Sequence, residues 1–437
     1  MFSPMNQPWF RIALVAFGTR LLFILVLPGP NYYEGISQGY LDVATNIFDG
    51  RGIVTHVDLA PLNSPGPQWS YEKMIERPLG YLVLILIPYY FFSAVGIQFL
   101  QALLAAFSAV LLFRIGQSIV SDLAARRASL AYAIWPLSAR FEIALLPDAV
   151  MSFFLLLTVW WLVKALTAEN RNRWFLLSGI ACGLGMTVRA DIMVIPLFIC
   201  AGLIFYQRSR QLMIGMMLFL GAIGLIVAVH TARNYDATGG KIVPLGLGNG
   251  ISMWEGISQF GDTLGTVFGD ERMVAREGYR QWAYPNGVER DRERFSEAVG
   301  ILMAHPGFYA VHMLKRIPVL LIPDWIMTNK FHPSLKIFLS QSPGNTILDF
   351  VKSYPFASLL RAALILLQLG TLILAAVAVL RTPREPLLWI PALVISYYIV
   401  IHLPTNTEAR YFYPAIPFTL LLASVGWDRL RAKQLPK

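Results

Sequence analysis

The chain has 437 residues, of which 56% are hydrophobic and only 14% charged, with a mean hydropathy of +0.55. Several apolar runs reach bilayer-spanning length, which excludes a soluble enzyme and indicates a polytopic membrane protein. The formal net charge is +10, yet nucleic acid is not the partner it implies, because Lys and Arg sit in short loops between apolar runs, as the positive-inside bias places them.

Residues 10–28 form the first span, and no small-residue cleavage site follows it, so it reads as uncleaved. Flanking charge points it outward, which puts the polar loop over 28–78 outside. If 79–95 and 97–119 both crossed, the basic stretch from Arg114 to Arg127 would lie outside. The run 79–95 is therefore read as an embedded or horizontal helix on the outer side, kinked at Pro88, and the first outer loop extends over 28–96. Spans then follow at 97–119, 124–141, 146–166, 174–188, 190–206 and 211–230, giving an N-terminal module over 1–230 of about seven spans.

Residues 231–356 hold little continuous apolar sequence and read as an outer region of Gly-rich loop followed by charged, solvated helix. Within it, 308–323 reads as an interfacial helix with Lys315 and Arg316 snorkelling. Three spans, 357–380, 387–403 and 411–427, make a C-terminal module over 357–437. The sum is an all-α polytopic protein of about ten spans with both termini inside. Cys182 and Cys200 both fall in apolar runs, so no disulfide framework is expected. Arg20 lies mid-span in the first helix and is expected to pair with a neighbouring helix.

The chemistry-bearing residues gather at the outer face in this topology. Tyr40 to Ile53 has helix-like apolar spacing and ends at Gly50, which alone is only an amphipathic juxtamembrane helix. Ahead of it stands Glu34, and behind it Glu76-Arg77-Pro78. Asp148 follows in the next outer turn, then Arg233-Asn234-Tyr235, then Glu408 with Arg410 and Tyr411. Acids and arginines meeting at one membrane surface suit a reaction on a lipid-linked anion. Each also has a bland reading: Glu34 as a solvated loop acid, the arginines as headgroup anchors, Asp148 as a helix cap. His312 and Arg316 share a helix face at i, i+4. The remaining histidines show no metal-ligand spacing.

The order of these pieces resembles the clan C (GT-C fold) glycosyltransferases, and within them the protein O-mannosyltransferase and lipid A aminoarabinose transferase branch. Tyr40, Ala44, Gly50 and Gly52 match its Tyr-x-x-x-Ala helix ending in Gly-x-Gly. Arg77, Pro78 and Tyr81 match the basic residue, proline and aromatic that open the next helix. Asp148 in LLPDAVMSFF, Arg233 to Tyr235, and Arg410, Tyr411, Pro414 and Pro417 complete the set. The resemblance implies transfer of a sugar from a polyprenyl-phosphate donor to a lipid, glycan or protein acceptor, with inversion, at the outer face of a bacterial inner membrane. It implies substrate-binding roles for Arg77, Tyr40, Tyr81, Arg233, Arg316, Arg410 and Tyr411, and catalytic or orienting roles for Glu34, Asp148 and Glu76.

One departure stands out. The family's acid three or four residues before the helix tyrosine is replaced here by Ser37 and Ile36. The carboxylate has either moved to Glu34 or is missing. No cofactor is expected; the acids are numerous enough for a divalent cation, but no spacing demands one. A flippase for the same lipid-linked sugar would show repeats or broken helices with mid-membrane charges. A polysaccharide polymerase or ligase would also use a lipid-linked donor and outer-loop arginines.

Overall fold

The structure is a computed structural model that describes residues 7–27, 36–58, 69–261, 263–277, 287–322, 335–342, 344–382, 385 and 387–431. Glu34 lies outside the described residues. Backbone in lipid must satisfy its own N–H and C=O groups, so the apolar runs become helices. The first, α1 (Pro8–Val26), starts with proline, whose missing N–H costs nothing in a first turn.

Next come α2 (Ile36–Phe48) and a β-hairpin of β1 (Val54–Asp58) and β2 (Trp69–Lys73), with Val54 opposite Lys73. α2 buries Ser37, Tyr40, Val43 and Ala44. It ends in a Schellman turn: Arg51 N–H donates to Asn46 O, Gly50 N–H donates to Ile47 O, and Gly50 has φ +76°. The hairpin replaces the loop read from the sequence, and its Val54, Thr55 and Val57 are β-branched residues suited to a pleated strand. Asp42 fastens it to α2, accepting from Thr55 Oγ1 at 3.0 Å and from His56 N–H at 2.6 Å.

The stretch α3 (Gly80–Ile119) is two arms that reverse at Ser93, a non-glycine residue with φ +55°. The break falls at Ser93, three residues before Gly96, where the two apolar runs meet in the sequence, and Pro88 lies inside the first arm. A Cβ on Gly96 would sit 2.3 Å from the Pro88 carbonyl oxygen, so only glycine lets the arms close this tightly. The arm over 80–92 is about 20 Å long at 1.5 Å per residue, short of a bilayer core of about 30 Å.

The expected span at 124–141 is broken into α4 (Asp122–Ile134) and α5 (Pro136–Glu142), because Pro136 has no N–H to continue the ladder. Then come α6 (Asp148–Thr167), α7 (Arg171–Val188), α8 (Ile195–Tyr206) and α9 (Arg210–Ala237), with a 3-10 turn at Ala190–Ile192. α6 packs along α7, and α7 along α9. α9 runs past its expected end at 230, so Arg233 to Tyr235 are helical; the chain meets no breaker until Gly239 and Gly240.

The region over 231–356 carries α10 (Asn249–Ser258), α11 (Asp270–Glu277), α12 (Val288–Ala304), α13 (Pro306–Leu321), α14 (Leu335–Gln341) and α15 (Ile347–Ser353). Its own small core forms around Ile251, Trp254, Ile257, Ala298 and Tyr309. The last elements are α16 (Pro355–Arg381), α17 (Trp389–His402), a 3-10 segment at Ala409–Ala415, and α18 (Ile416–Arg431), which packs along α16.

Among the described residues, five helices are long and apolar enough to cross a membrane, and Ala190–Tyr206 and Trp389–His402 are shorter apolar stretches. The architecture is a helical, multi-pass membrane protein. The sequence reading of about ten spans counted 124–141 as one unbroken crossing and started the last span at 411, where the 3-10 segment precedes α18. Large apolar side chains such as Leu25, Phe205 and Leu380 are exposed on these helices, as lipid-facing positions are.

Both cysteines are buried, so Ser93→Cys supplies a single accessible thiol at the reversal. An impermeant maleimide added from the outer side is expected to label it. Labelling from the inner side alone would mean that the arm over 80–92 crosses the membrane.

Candidate functional site

The site is built where α2, the start of α3, the α5–α6 and α7–α8 junctions and the 3-10 segment meet. Tyr40 is buried, with the Arg77 guanidinium carbon 5.7 Å from its ring centroid, and Tyr81 packs edge-on against it at 4.9 Å. Tyr81 Oη donates to Gln101 Oε1 at 3.0 Å, and Gln101 Nε2 donates to the carbonyls of Glu142 and Ala144. Arg77 Nε and Nη2 donate to Glu76 Oε1 at 3.1 and 2.9 Å. Its Nη1 is buried with no hydrogen-bond partner among the described residues.

The second half of the cluster centres on Arg189, which the sequence reading treated only as a span end. Arg189 Nη1 donates to Asp148 Oδ1, and Nη2 lies 3.1 Å from Asp191 Oδ2. Asp148 is wholly buried, and its Oδ2 has no hydrogen-bond partner among the described residues. Arg189 also lies 5.4 Å from the Tyr411 ring centroid, and Arg410 lies 5.1 Å from the same centroid. Arg410 Nε is 2.7 Å from Glu408 Oε2. His402 stacks on Tyr411 at 4.8 Å, with Nε2 at 3.9 Å from Asp191 Oδ2.

Electrostatics tie the two halves together. Burial opposes the Arg77 charge, but Glu76 beside it holds the guanidinium above its usual value, while Arg410 works the other way. Burial pushes the Tyr411 phenol up to about 12, with Glu408 adding and Arg410 and Arg189 opposing. Burial also raises Tyr40, against the pull of Arg77. Both phenols therefore stay protonated at neutral pH and can donate hydrogen bonds.

The structure thus brings together Tyr40, Glu76, Arg77, Tyr81, Asp148, Arg410 and Tyr411 from the sequence reading. It adds Arg189, Asp191 and His402. Opposite charges two residues apart between apolar runs were the available signal for Arg189 and Asp191. Arg233 and Arg316 are engaged elsewhere. Arg233 Nη1 donates to the Met74 carbonyl, just ahead of Glu76. Arg316 is not the snorkelling residue expected from its place in an interfacial helix. It is fully buried, with Nε donating to Gln259 Oε1 at 3.1 Å, Nη1 to Leu403 O at 2.6 Å and Nη2 to Gly256 O. These bonds pin α10 to the turn that leads into Arg410, so Arg316 itself points into the protein while other α13 side chains such as Leu314 stay exposed. Gln259 also holds that turn directly, accepting from Thr407 N–H at 3.1 Å. Ser37, at the family's acid position, donates from Oγ to the Leu145 carbonyl at 2.8 Å. Among the described residues, no three or more His, Cys, Asp or Glu side chains group as a metal-ligand set.

Residues 77–232 match the family model described as dolichyl-phosphate-mannose-protein mannosyltransferase. No curated protein matches the sequence. Among solved structures, the oligosaccharyltransferase of Archaeoglobus fulgidus tethered with an acceptor peptide is similar over 97% of this chain and 50% of its own, with 10% identity and a TM-score of 0.54. Its apo form is similar over 98% and 51%, with 13% identity and a TM-score of 0.52. ArnT from Cupriavidus metallidurans bound to undecaprenyl phosphate aligns over 97% and 77%, with 11% identity and a TM-score of 0.41. The chain spans about half the length of the oligosaccharyltransferase it matches. It is a polytopic membrane protein with the GT-C fold, and its segment 77–232 is of the kind that the mannosyltransferase family model describes.

Proposed function

We propose that the chain transfers a sugar from a polyprenyl-phosphate donor to a lipid, glycan or protein acceptor, with inversion, at the outer face of a bacterial inner membrane. The observation that carries the reading is Arg77, whose buried Nη1 has no hydrogen-bond partner among the described residues, inside a cluster shared with Arg410, Arg189 and two protonated tyrosines. Such a group can hold the oxygens of a phosphate as it leaves. The matched family's description names a dolichyl-phosphate-sugar donor, which supports the same donor class here.

The three arginines divide by the exposure of their acids. Asp148 is fully buried against Arg189, whereas Glu76 and Glu408 have side chains 33% and 39% exposed. An arriving phosphate can displace an exposed carboxylate far more readily than a buried one. Arg77 and Arg410 therefore take the phosphate, Glu76 orients Arg77 until it arrives, and Arg189 with Asp148 is scaffold. The reaction needs no cofactor in this reading, because the donor already carries a phosphate leaving group and guanidinium groups meet its developing charge.

The attacking acceptor group must lose a proton, and Glu34 is the base we assign. Ser37 is tied to Leu145, Asp42 holds the hairpin, and Asp148 is paired with Arg189. Glu34 is the acid ahead of Tyr40 in the sequence, and Gly35 beside it frees the backbone to turn.

Replacing Arg77 or Arg410 with Ala is expected to lower turnover about a hundred- to a thousand-fold while the protein still folds. Lys should rescue only in part, since it lacks the guanidinium fork. Release of polyprenyl phosphate from a polyprenyl-phosphate sugar reads this out, and near-normal rates for both Ala variants would return the pair to headgroup anchoring. Arg189→Ala should behave differently: it leaves the wholly buried Asp148 uncompensated, at a cost of about 3–5 kcal/mol, and should lower the thermal midpoint of unfolding. An unchanged midpoint would remove Arg189 from the scaffold. Glu34→Gln is expected to abolish transfer with donor binding nearly intact, and Glu34→Asp to keep weak activity. Normal turnover by Glu34→Gln would mean that another group takes the proton.

A further inference from the structure

Arg20 sits inside the apolar run of α1 and is wholly buried. An ionisable group within a membrane span is costly and calls for a reason beyond packing. The break at Pro136 supplies part of it. α4 ends at Ile134, and Pro136 has no N–H, so the Tyr132 carbonyl loses its i+4 donor and keeps, from the backbone, only the Trp135 N–H at 3.2 Å. Arg20 Nη1 donates to Ala133 O, and Nη2 to Tyr132 O at 3.3 Å. Its Nε donates to Glu142 Oε2 at 2.6 Å, so the charge that caps the broken helix is neutralised by the last residue of α5.

The remaining valences of Glu142 reach both halves of the basic cluster. Its Oε1 accepts from Tyr132 Oη and from Tyr413 Oη. Tyr413 belongs to the same 3-10 segment as Arg410 and Tyr411. The Glu142 carbonyl accepts from Gln101 Nε2 at 3.0 Å, and Gln101 Oε1 in turn accepts from Tyr81, which packs on Tyr40 beneath Arg77. Both carboxylate oxygens and the backbone of one residue are thereby committed, all in a setting with no exposed surface. Low local dielectric makes such bonds strong and their directions strict.

We propose that Glu142 is a positioning residue for the phosphate site: through Tyr413 it fixes where Arg410 and Tyr411 stand, and through Gln101 it fixes the Tyr81–Tyr40 floor under Arg77. This rests on the transferase reading above for what the arginines bind, but not for the geometry. Glu142 touches no reacting group; it sets the distance between the two cationic arms.

Removing Glu142 itself strands the Arg20 charge and can simply unfold the protein, so the test uses the two phenols that share its Oε1. Tyr413→Phe keeps the ring and its contact with Phe141 at 6.0 Å and deletes the bond toward the site. Tyr132→Phe deletes the bond to the same oxygen from the α4 side. In full-length protein in nanodiscs, both should shift thermal unfolding to a similar extent. Tyr413→Phe should weaken binding of undecaprenyl phosphate about tenfold, and Tyr132→Phe by less than about twofold. Amide hydrogen exchange over 409–415 should be faster in Tyr413→Phe than in Tyr132→Phe. Equal losses of affinity, or equal exchange over that segment, would show that the network only holds the fold. Undecaprenyl phosphate binding that is indifferent to Arg410→Ala would instead sink the transferase reading, and the exchange comparison would still decide the positioning role.

Discussion

A guanidinium held inside a membrane protein, away from water, is the constraint around which this structure is arranged. Arg20 costs about 2.5–3.5 kcal/mol or more in lipid unless each of its donors finds an acceptor. Here the acceptors are made available by a covalent fact, the missing N–H of Pro136, which opens the end of α4. Once Arg20 caps that end, its charge requires Glu142, and Glu142 has valences left over. Those valences hold Tyr132, Tyr413 and Gln101, and so one buried ion pair links α1, α3, α4, α5 and the 3-10 segment.

That linkage matters because the basic cluster is not assembled by any one element. Arg77 precedes α3, Arg189 follows α7, Arg410 precedes α18, and Tyr40 is on α2. Loop-borne charges would wander by more than the tolerance of a phosphate contact if the segments beneath them moved. The region over 231–356 contributes the second brace: Arg316, Gln259 and α10 clamp the turn that feeds into Arg410. Two arginines that the sequence reading grouped with the substrate thus have hydrogen bonds to backbone, at the turn before Arg410 and at Met74. Both brace segments from which the cluster's side chains extend.

The sequence carried the membrane class, the multi-pass character and most members of the cluster, because each is written locally. Apolar runs, flanking Lys and Arg, the Gly50 stop after α2 and the Arg-Pro pair before α3 are features a few residues wide. It missed the hairpin, since β1 and β2 are short and separated by residues that carry no strand pattern. It placed the junction of the two arms of α3 at Gly96; the break itself falls at Ser93, and Gly96 lets the backbone pass close to Pro88 and Phe92. Arg189 was visible only as a span end, because nothing in the run from Val188 to Ile192 announces that Asp148, 41 positions earlier, lies against it.

What the sequence by itself determined is which residue types sit at the ends of which apolar runs, a matter of hydropathy and charge bias along the chain. It also determined that Arg20 needs a partner, since the penalty for an unpaired charge in lipid does not depend on the fold. The identity of that partner was decided by tertiary structure alone. Arg20 meets Glu142 across 122 positions and Tyr413 reaches the same carboxylate across 271. Contacts of that span depend on how helices cross, and helix crossing is set by side-chain packing over whole surfaces, which no local pattern records. The same holds for Arg316. Its helix periodicity is that of an interfacial helix, and only the packing of α10 against the turn before Arg410 turns it inward.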